Sequence, residues 1–296
     1  MSQSSAKFLL CGEYSVFWGA PAIAGPIPSL QIEIKTSQNL KHQLNKKDLL
    51  PAENLVLEKI LHIISPEFAN TLDIQSNIPI SMGLGSSAAL CSALCRLLNP
   101  LHSEQQQLTI AQEAENFIHG KSSGLDVHAC FYQRPLIFSK DPASHKNNFD
   151  FLNDELFKKL PLYLISSQLQ HQTKANLSNS YQDLYNNKNE LINSCQLTKV
   201  ALLNQDLKKL GEQMTYSQNI FRKAKLSHPK LEGIIDKINN SSELKSSFEG
   251  AKITGSGCGG FLLCLFKKSV YKELKNHFKS EDIIPVGLDS IDLTKQ

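Results

Sequence analysis

The sequence predicts an α+β fold organised in two domains. Segments with the alternation of strands and segments with the apolar spacing of helices follow one another without regular β-α alternation, which is typical of α+β proteins. The chain has 296 residues, of which 41% are hydrophobic and 20% charged, the profile of an ordinary globular protein. Since a domain averages about 150 residues, we place one domain at residues 1–155 and a second at residues 156–296.

In the first domain, glycine, proline and polar residues delimit the predicted elements. Residues 7–11 form an apolar run that Gly12 ends, and residues 22–24 and 31–35 add strand-like alternation. Residues 39–50 are polar and predict a surface connection, whereas residues 52–65 have helical spacing. A strand at 71–80 precedes a helix at 87–98. Ser103 and Gln106 form a capping box that begins a helix running to about residue 117 and broken at Gly120.

The remaining elements follow from the same signals. Small residues at 122–126 predict a turn, residues 135–138 a strand, and polar residues 141–150 a linker. Residues 160–165 form a strand that opens the second domain, and helices are predicted at about 174–187, 191–216 and 228–238. Within residues 251–266 a glycine turn leads into a strong strand, followed by a helix at 270–277 and a strand at 283–286.

Charge, hydropathy and cysteine content narrow the function classes. The net charge is +3 without a polybasic block, so nucleic-acid binding is not indicated. No stretch approaches the roughly 20 apolar residues of a membrane span, and the N-terminus lacks a signal-peptide pattern, so we expect a cytoplasmic protein without membrane contact. The seven cysteines are an odd number, which argues against a full disulfide framework.

The most informative stretch is the glycine- and serine-rich segment at residues 79–90. It follows a predicted strand and opens a predicted helix, the arrangement in which glycines and free N–H groups bind phosphate. A Walker loop is excluded because no Gly-Lys-Ser/Thr follows the glycines. A dinucleotide fingerprint fits Gly83, Gly85 and Ala88, but Glu104, at about the required distance, opens a helix instead of ending a strand. A tight turn that serves packing only is the remaining alternative.

Four features together predict phosphoryl transfer: the glycine segment, Lys7 followed by Gly12 and Glu13, the pair of Glu115 and Asp126, and a further glycine cluster. This reaction needs a phosphate cradle, oxygen ligands for Mg²⁺, a carboxylate and a cation. The glycine segment supplies the cradle, Ser87 and Glu115 are candidate metal ligands, Asp126 is the candidate base and Lys7 the candidate cation. A second glycine cluster lies at residues 255–260. Singly, these residues could be a surface lysine, an exposed helix glutamate and a turn aspartate. His119 and His128 flank the acidic turn and are interpreted as structural residues, because no further metal-ligand pattern accompanies them.

These stretches resemble the GHMP kinases, and among them the mevalonate kinases. The three motifs of the family occur in order at residues 7–19, 79–89 and 252–260. The separation of Glu115 and Asp126 is similar to that between the magnesium-binding Glu and the catalytic Asp of the family, and residues 214–231 resemble the helix before its third motif. The resemblance implies a two-domain GHMP kinase fold, with an N-terminal nucleotide-binding half like ribosomal protein S5 domain 2 and a ferredoxin-like C-terminal half.

The resemblance also implies an activity and residue roles. The activity is ATP- and Mg²⁺-dependent phosphorylation of the hydroxyl of mevalonate to 5-phosphomevalonate, in isoprenoid biosynthesis. Asp126 would act as base, Lys7 would lie near the acceptor hydroxyl and the γ-phosphate, and Ser87 and Glu115 would bind Mg²⁺. The implied nucleotide contacts are Pro79, Gly83, Leu84, Gly85, Ser86, Ser87 and Ala88. The implied substrate contacts are Glu13, Tyr14, Thr254 and Gly255.

Departures from the family pattern leave alternatives open. Tyr14 stands where the family usually has His, Ser256 and Cys258 replace smaller residues, and Val127 follows Asp126 where many mevalonate kinases have Asn. A valine at this point is more like phosphomevalonate kinases, whose acceptor is a phosphate. A non-catalytic relative that binds a nucleotide or a sugar is a further alternative. Because relatives are often dimers, a homodimer is expected.

Overall fold

The computed structural model of the protein describes residues 1–37, 43–44, 51–68, 70–170 and 177–287. The described residues form two compact units, each assembled from separate stretches of the chain. The first unit contains Met1–Lys7, Pro26–Ile80 and Gly85–Gln133, and the second contains Phe8–Gly25, Ser81–Leu84 and the residues from Arg134 onward. Strands β1 (Ser2–Cys11) and β2 (Ala22–Ser37) contribute residues to both units. The division of domains after residue 155 stays a prediction.

The first unit consists of a small sheet and four helices. The end of β2 pairs antiparallel with β4 (Thr71–Ser76), so that Ile34 lies opposite Ile74, and β3 (Gln43–Leu44) pairs parallel with β4. Alternate residues of β4 are buried, as the sequence pattern predicts. The helices are α1 (Pro51–Ile64), α2 (Ser86–Leu98), α3 (Glu104–His119) and α4 (Leu125–Tyr132). Small buried residues on α2, including Ala88, Cys91 and Cys95, let α3 and α4 pack closely against it.

The predicted capping box of α3 is confirmed, whereas the predicted turn at residues 122–126 is wrong in its second half. Ser103 accepts a hydrogen bond from Gln106 N, and the Gln106 side chain accepts one from Ser103 N in return. Helix α4 begins at Leu125 after Gly124, whose φ of 96° lies in the left-handed region, so Asp126 belongs to the first turn of a helix. Eight residues are too few for apolar periodicity to reveal a helix.

The second unit is built on a four-stranded antiparallel sheet in the order β10-β7-β9-β8. These strands are β7 (Leu162–Ser166), β8 (Phe248–Thr254), β9 (Phe261–Phe266) and β10 (Ile283–Pro285). The start of β2 pairs with β5 (Leu136–Lys140), which pairs with β6 (Asn147–Phe151). The helices are α5 (Asp154–Lys158), α6 (Leu177–Asn186), α7 (Lys188–Leu203), α8 (Leu207–Lys223), α9 (Pro229–Asn240), α10 (Ser242–Lys245) and α11 (Tyr271–His277).

Two predictions for the second unit are wrong. The polar residues 141–150 do not form a linker, because Asp141 accepts hydrogen bonds from Ala143 N at 2.9 Å and Ser144 N at 2.6 Å and thereby turns β5 into β6. The helix predicted at 191–216 is two helices. Asp206 caps the N-terminus of α8 by accepting from Lys209 N at 3.0 Å, which separates α8 from α7.

The remaining element predictions agree in type with the structure. Residues 22–24 and 31–35 belong to one long strand, β2, and residues 251–266 form the β8–β9 hairpin. The predicted surface connection at 39–50 lies outside the described residues except for β3, as does the start of the helix predicted at 174–187. None of the helices in the described part of the chain is long and apolar enough to cross a membrane. The mixture of helices with mainly antiparallel sheets confirms the α+β class.

Candidate active site

The glycine segment presents the N-terminus of α2. Gly85 occupies the N-cap position with φ 75° and ψ 33°, and it has no side chain with which to cap this helix end. A Cβ at this position would lie 3.0 Å from the Cγ and Cε atoms of Lys7 and 3.3 Å from the Cys130 sulfur. Glycine therefore adopts this backbone conformation without strain and leaves room for the lysine side chain. A helix N-terminus without a side-chain cap is suited to an anionic ligand such as a phosphate.

Lys7 and Asp126 form an ion pair in the first unit. Lys7 extends from β1 and its side chain is 2% exposed, whereas the Asp126 side chain, in the first turn of α4, is 35% exposed. The Lys7 Nζ atom lies 3.1 Å from Asp126 Oδ2. The accessible partner of the pair is thus a carboxylate that can accept a proton, with a buried ammonium group directly beside it.

Ser87, Glu115 and His119 form a second polar cluster in the same unit. The Ser87 hydroxyl donates to Glu115 Oε1 at 3.0 Å and lies 2.9 Å from His119 Nε2. The His119 Nε2 atom is 3.6 Å from the same carboxylate oxygen. Glu115 and His119 are four residues apart on α3 and therefore share one face of the helix, while Ser87 comes from the first turn of α2.

The Glu115 carboxyl has a perturbed acidity. Its pKa is raised from 4.5 to about 7, first by burial and second by the nearby charge of Asp126. The hydrogen bond from Ser87, the charge of Lys7 and the hydrogen bond from the Cys91 thiol act in the opposite direction. Burial makes the ionised form of Glu115 unfavourable, and a bound cation would offset this cost. The carboxylate oxygen of Glu115 and the hydroxyl oxygen of Ser87 are therefore suited to Mg²⁺.

The described residues hold no cluster of three or more His, Cys, Asp or Glu side chains that could bind a metal alone. A cation at Ser87 and Glu115 would complete its shell with phosphate oxygens and water, as Mg²⁺ commonly does in phosphoryl-transfer sites.

In the second unit, a buried ion pair joins the first and third motifs. The Lys252 ammonium, on β8, donates to Glu13 Oε1, to Leu9 O at 3.3 Å and to Ile253 O at 2.7 Å. The Lys252 and Glu13 side chains are 1% and 3% exposed. The Thr254 hydroxyl oxygen accepts from Leu9 N at 2.8 Å, and Thr254 is fully buried. Glu13 and Thr254, both predicted substrate contacts, thus have protein partners within this unit.

Close backbone contacts shape the glycine turn between β8 and β9. Gly255 has φ 94°, and a Cβ there would lie 2.8 Å from the Gly83 Cα, so the third motif packs directly on the middle motif within the second unit. The Tyr14 hydroxyl donates to Ser256 O at 2.6 Å. Burial raises the pKa of Tyr14 well above its usual range, which keeps this hydroxyl protonated as a donor.

The sequence-predicted residues divide between the two units. Lys7, Pro79, Gly85, Ser86, Ser87, Ala88, Glu115 and Asp126 lie in the first, and Glu13, Tyr14, Gly83, Leu84, Thr254 and Gly255 in the second. The side chains of Leu84 and Ala88 are buried, which leaves their backbone as the part suited to a nucleotide. Sequence reasoning did not identify Lys252 as the partner of Glu13 and left His119 without a function. The four-residue spacing of Glu115 and His119 on one helix was the sequence signal that could have linked His119 to the site.

The first unit therefore combines a helix N-terminus suited to anions, an oxygen pair suited to a cation, and a lysine–aspartate pair. These are the groups that phosphoryl transfer requires, and they define a candidate phosphotransferase.

Comparisons with known proteins identify the family. The model of the GHMP kinases N terminal domain matches residues 52–134, and that of the GHMP kinases C terminal domain matches residues 198–280. Together the two models match more than half of the chain, which belongs to the GHMP kinases, a family of ATP-using phosphotransferases. The mevalonate kinase of Methanocaldococcus jannaschii is 28% identical over 310 aligned positions, covering 95% of this chain and 96% of that protein. The mevalonate kinase of Pyrococcus abyssi is 24% identical and covers 90% and 88%.

Solved structures confirm the fold. The L. major mevalonate kinase, crystallised in complex with R-mevalonate, matches with a TM-score of 0.75 and 20% identity over 97% of this chain and 96% of its own. The Methanococcus jannaschii enzyme matches with a TM-score of 0.71 and 23% identity over 95% of both chains. The predicted two-domain GHMP kinase fold is thus confirmed.

Proposed function

We propose that this protein transfers the γ-phosphoryl group of ATP to the hydroxyl of mevalonate, giving 5-phosphomevalonate and ADP for isoprenoid biosynthesis. The Lys7–Asp126 pair carries the proposal, because a partly exposed carboxylate against a buried ammonium is suited to an alcohol acceptor. The choice of mevalonate is supported by the curated relatives, which are mevalonate kinases and which this chain covers nearly from end to end.

In this proposal the side chains of the first unit divide the chemistry. Asp126 accepts the proton of the attacking hydroxyl, and the buried Lys7 ammonium stabilises the alkoxide that develops. The Lys7 side chain is 2% exposed and occupies the space that a side chain at position 85 would fill. The N-terminus of α2 binds phosphate oxygens through its backbone N–H groups, together with the hydroxyl of Ser86.

Ser87 and Glu115 are the residues that would hold Mg²⁺, which neutralises phosphate charge when it is bound. Their oxygens are held together by the hydrogen bond between them, so the protein presents both to the cation at once. The substrate roles of Glu13, Tyr14, Thr254 and Gly255 stay proposals. The buried ion pair of Glu13 with Lys252 supports an indirect role for Glu13, through the conformation of the first motif.

The structure removes one argument for a phosphorylated acceptor. Val127, whose identity resembles phosphomevalonate kinases, is fully buried on α4 and packs in the protein interior. Its side chain therefore cannot select an acceptor by direct contact. The fold does not discriminate either, since a Streptococcus pneumoniae phosphomevalonate kinase matches with a TM-score of 0.71 at 14% identity.

The proposal includes a homodimer and a cytoplasmic location. All seven cysteines are free thiols, and six of them are buried, which fits a reducing compartment. Light scattering of the purified protein tests the dimer, and a monomeric mass at working concentration would contradict it.

The decisive experiment is ADP release by the purified protein with MgATP and four acceptors: mevalonate, 5-phosphomevalonate, homoserine and galactose. Turnover with mevalonate alone supports the proposal. Turnover only with 5-phosphomevalonate would assign the chain to the phosphomevalonate kinases. Nucleotide binding without turnover on any acceptor would support the non-catalytic alternative.

A further inference from the structure

His119 is the solvent-facing member of the cluster that it forms with Ser87 and Glu115. Its side chain is 54% exposed, whereas that of Glu115 is 4% exposed. It is the last residue of α3, and its Nε2 atom is within hydrogen-bond distance of the Ser87 hydroxyl. None of the roles proposed above uses this side chain.

The hydrogen bonds of the cluster can be assigned from the protons available. A serine hydroxyl has one proton and two lone pairs, and an ionised carboxylate only accepts. The Ser87 hydroxyl donates its one proton to Glu115 Oε1, which is 3.0 Å away. His119 Nε2, 2.9 Å from the same hydroxyl oxygen, must then carry a proton and donate it. The imidazole occupies one lone pair of Ser87 and leaves the other available.

We propose that His119 is a positioning residue for the cation-binding oxygens: its Nε2–H group holds the Ser87 hydroxyl against Glu115, so that both oxygens are already aligned when a metal–nucleotide complex binds. The proposal rests on the assignment of Ser87 and Glu115 as the magnesium ligands. Without the imidazole, the Ser87 side chain could occupy the other staggered rotamers, and binding would have to restrict it at a cost in affinity.

The end of α3 is anchored in a way that fixes the backbone of His119. Gly120 N donates to Asn116 O at 2.8 Å, which closes the last turn of the helix. The Asn116 side-chain oxygen accepts from Ser122 N at 2.9 Å, so the segment after His119 is held against the same helix. His119 therefore starts from a defined backbone position, as a positioning role requires.

The test uses a matched pair of variants. In His119→Gln, an amide N–H replaces Nε2–H at a similar distance from the backbone, whereas the side chain of His119→Asn is too short to reach Ser87. Calorimetric titration measures binding of a non-hydrolysable ATP analogue with Mn²⁺ and, separately, with EDTA. We expect His119→Asn to weaken binding with Mn²⁺ by about tenfold, the usual effect of removing a residue that orients a metal ligand. Binding of the analogue in EDTA should be the same as in wild type, and His119→Gln should retain most of the wild-type affinity with Mn²⁺.

A double-mutant cycle separates this role from a general structural one. If His119 acts through the Ser87 hydroxyl, His119→Asn should have no further effect in a Ser87→Ala background. Equal Mn²⁺-dependent affinity in wild type and His119→Asn would overturn the proposal. So would independent, multiplying effects of the two substitutions, or equal losses with Mn²⁺ and with EDTA.

The outcome is distinguishable from failure of the proposed function. Binding is measured without an acceptor, so a wild-type protein that binds the metal–nucleotide complex but does not phosphorylate mevalonate refutes only the acceptor, and the variants still decide the role of His119. A wild-type protein whose nucleotide affinity is unchanged by Mn²⁺ refutes both.

Discussion

Replacing Glu115 by glutamine should stabilise the ligand-free protein while removing its activity. Burial, together with the nearby charge of Asp126, raises the pKa of the Glu115 carboxyl from 4.5 to about 7. The folded state therefore binds the proton more tightly than the unfolded chain does, and ionising the group above pH 7 costs the fold about 3 kcal/mol. Glutamine keeps the shape of the side chain and can still accept from Ser87, but it carries no charge and avoids that cost.

The expected gain depends on pH in a defined direction. At pH 8 the carboxyl is ionised in both states, so Glu115→Gln should raise the unfolding temperature by several degrees. At pH 4 the folded-state carboxyl is protonated and the unfolded one largely so, and the gain should vanish. Thermal unfolding in EDTA measures the gain at both pH values. The matched control is Glu113→Gln, because Glu113 is exposed and lies two residues earlier on α3. A variant no more stable than wild type at pH 8, or equally stabilised at both pH values, would refute the argument.

Three further substitutions test other parts of the site. Asp126→Asn should abolish phosphoryl transfer and leave nucleotide affinity nearly unchanged, measured by ADP release and calorimetry; substantial turnover would refute its role as base. Lys252→Met leaves the Glu13 carboxylate buried without its cation and should cost roughly 3–5 kcal/mol; thermal unfolding should show recovery when Glu13→Gln is added. Gly85→Ala should weaken nucleotide binding well beyond the effect of Gly120→Ala, which also has positive φ but an added Cβ in open space. Equal effects would mean that contact with the lysine side chain is unimportant.

Local signals in the sequence predicted most elements and much of the candidate site. The capping box at Ser103 and Gln106 depends on residues three positions apart, and the glycine segment before α2 depends on the backbone freedom of a few neighbours. The structure places Lys7 beside Asp126 and Ser87 beside Glu115, in agreement with the roles expected for a phosphoryl-transfer site. The roles themselves stay predictions until the substitutions above are measured.

The errors arise where polar or short segments depend on contacts that local patterns do not contain. Residues 141–150 were predicted as a linker because they are polar, as residues on the exposed face of a hairpin are. Asp141 in fact closes the turn between β5 and β6. Helix α4 is too short for its periodicity to appear. Asp206 begins a new helix within residues 191–216, which the sequence predicted as a single helix. At Asp141 and Asp206, a single side chain that accepts from a nearby backbone N–H group decided the local structure.

The sequence by itself determined the α+β class and, through three short motifs, the family, because both depend on residue type and short spacing. It also supplied the candidate catalytic residues, whose roles stay predictions. Only the tertiary structure decided which of these groups are buried and what they contact. Glu13 and Lys252 are 239 positions apart and form a buried pair, Val127 is in the interior, and Glu115 has a pKa near 7. Burial and long-range partners depend on the path of the whole chain, and the free energy of a charge depends on both.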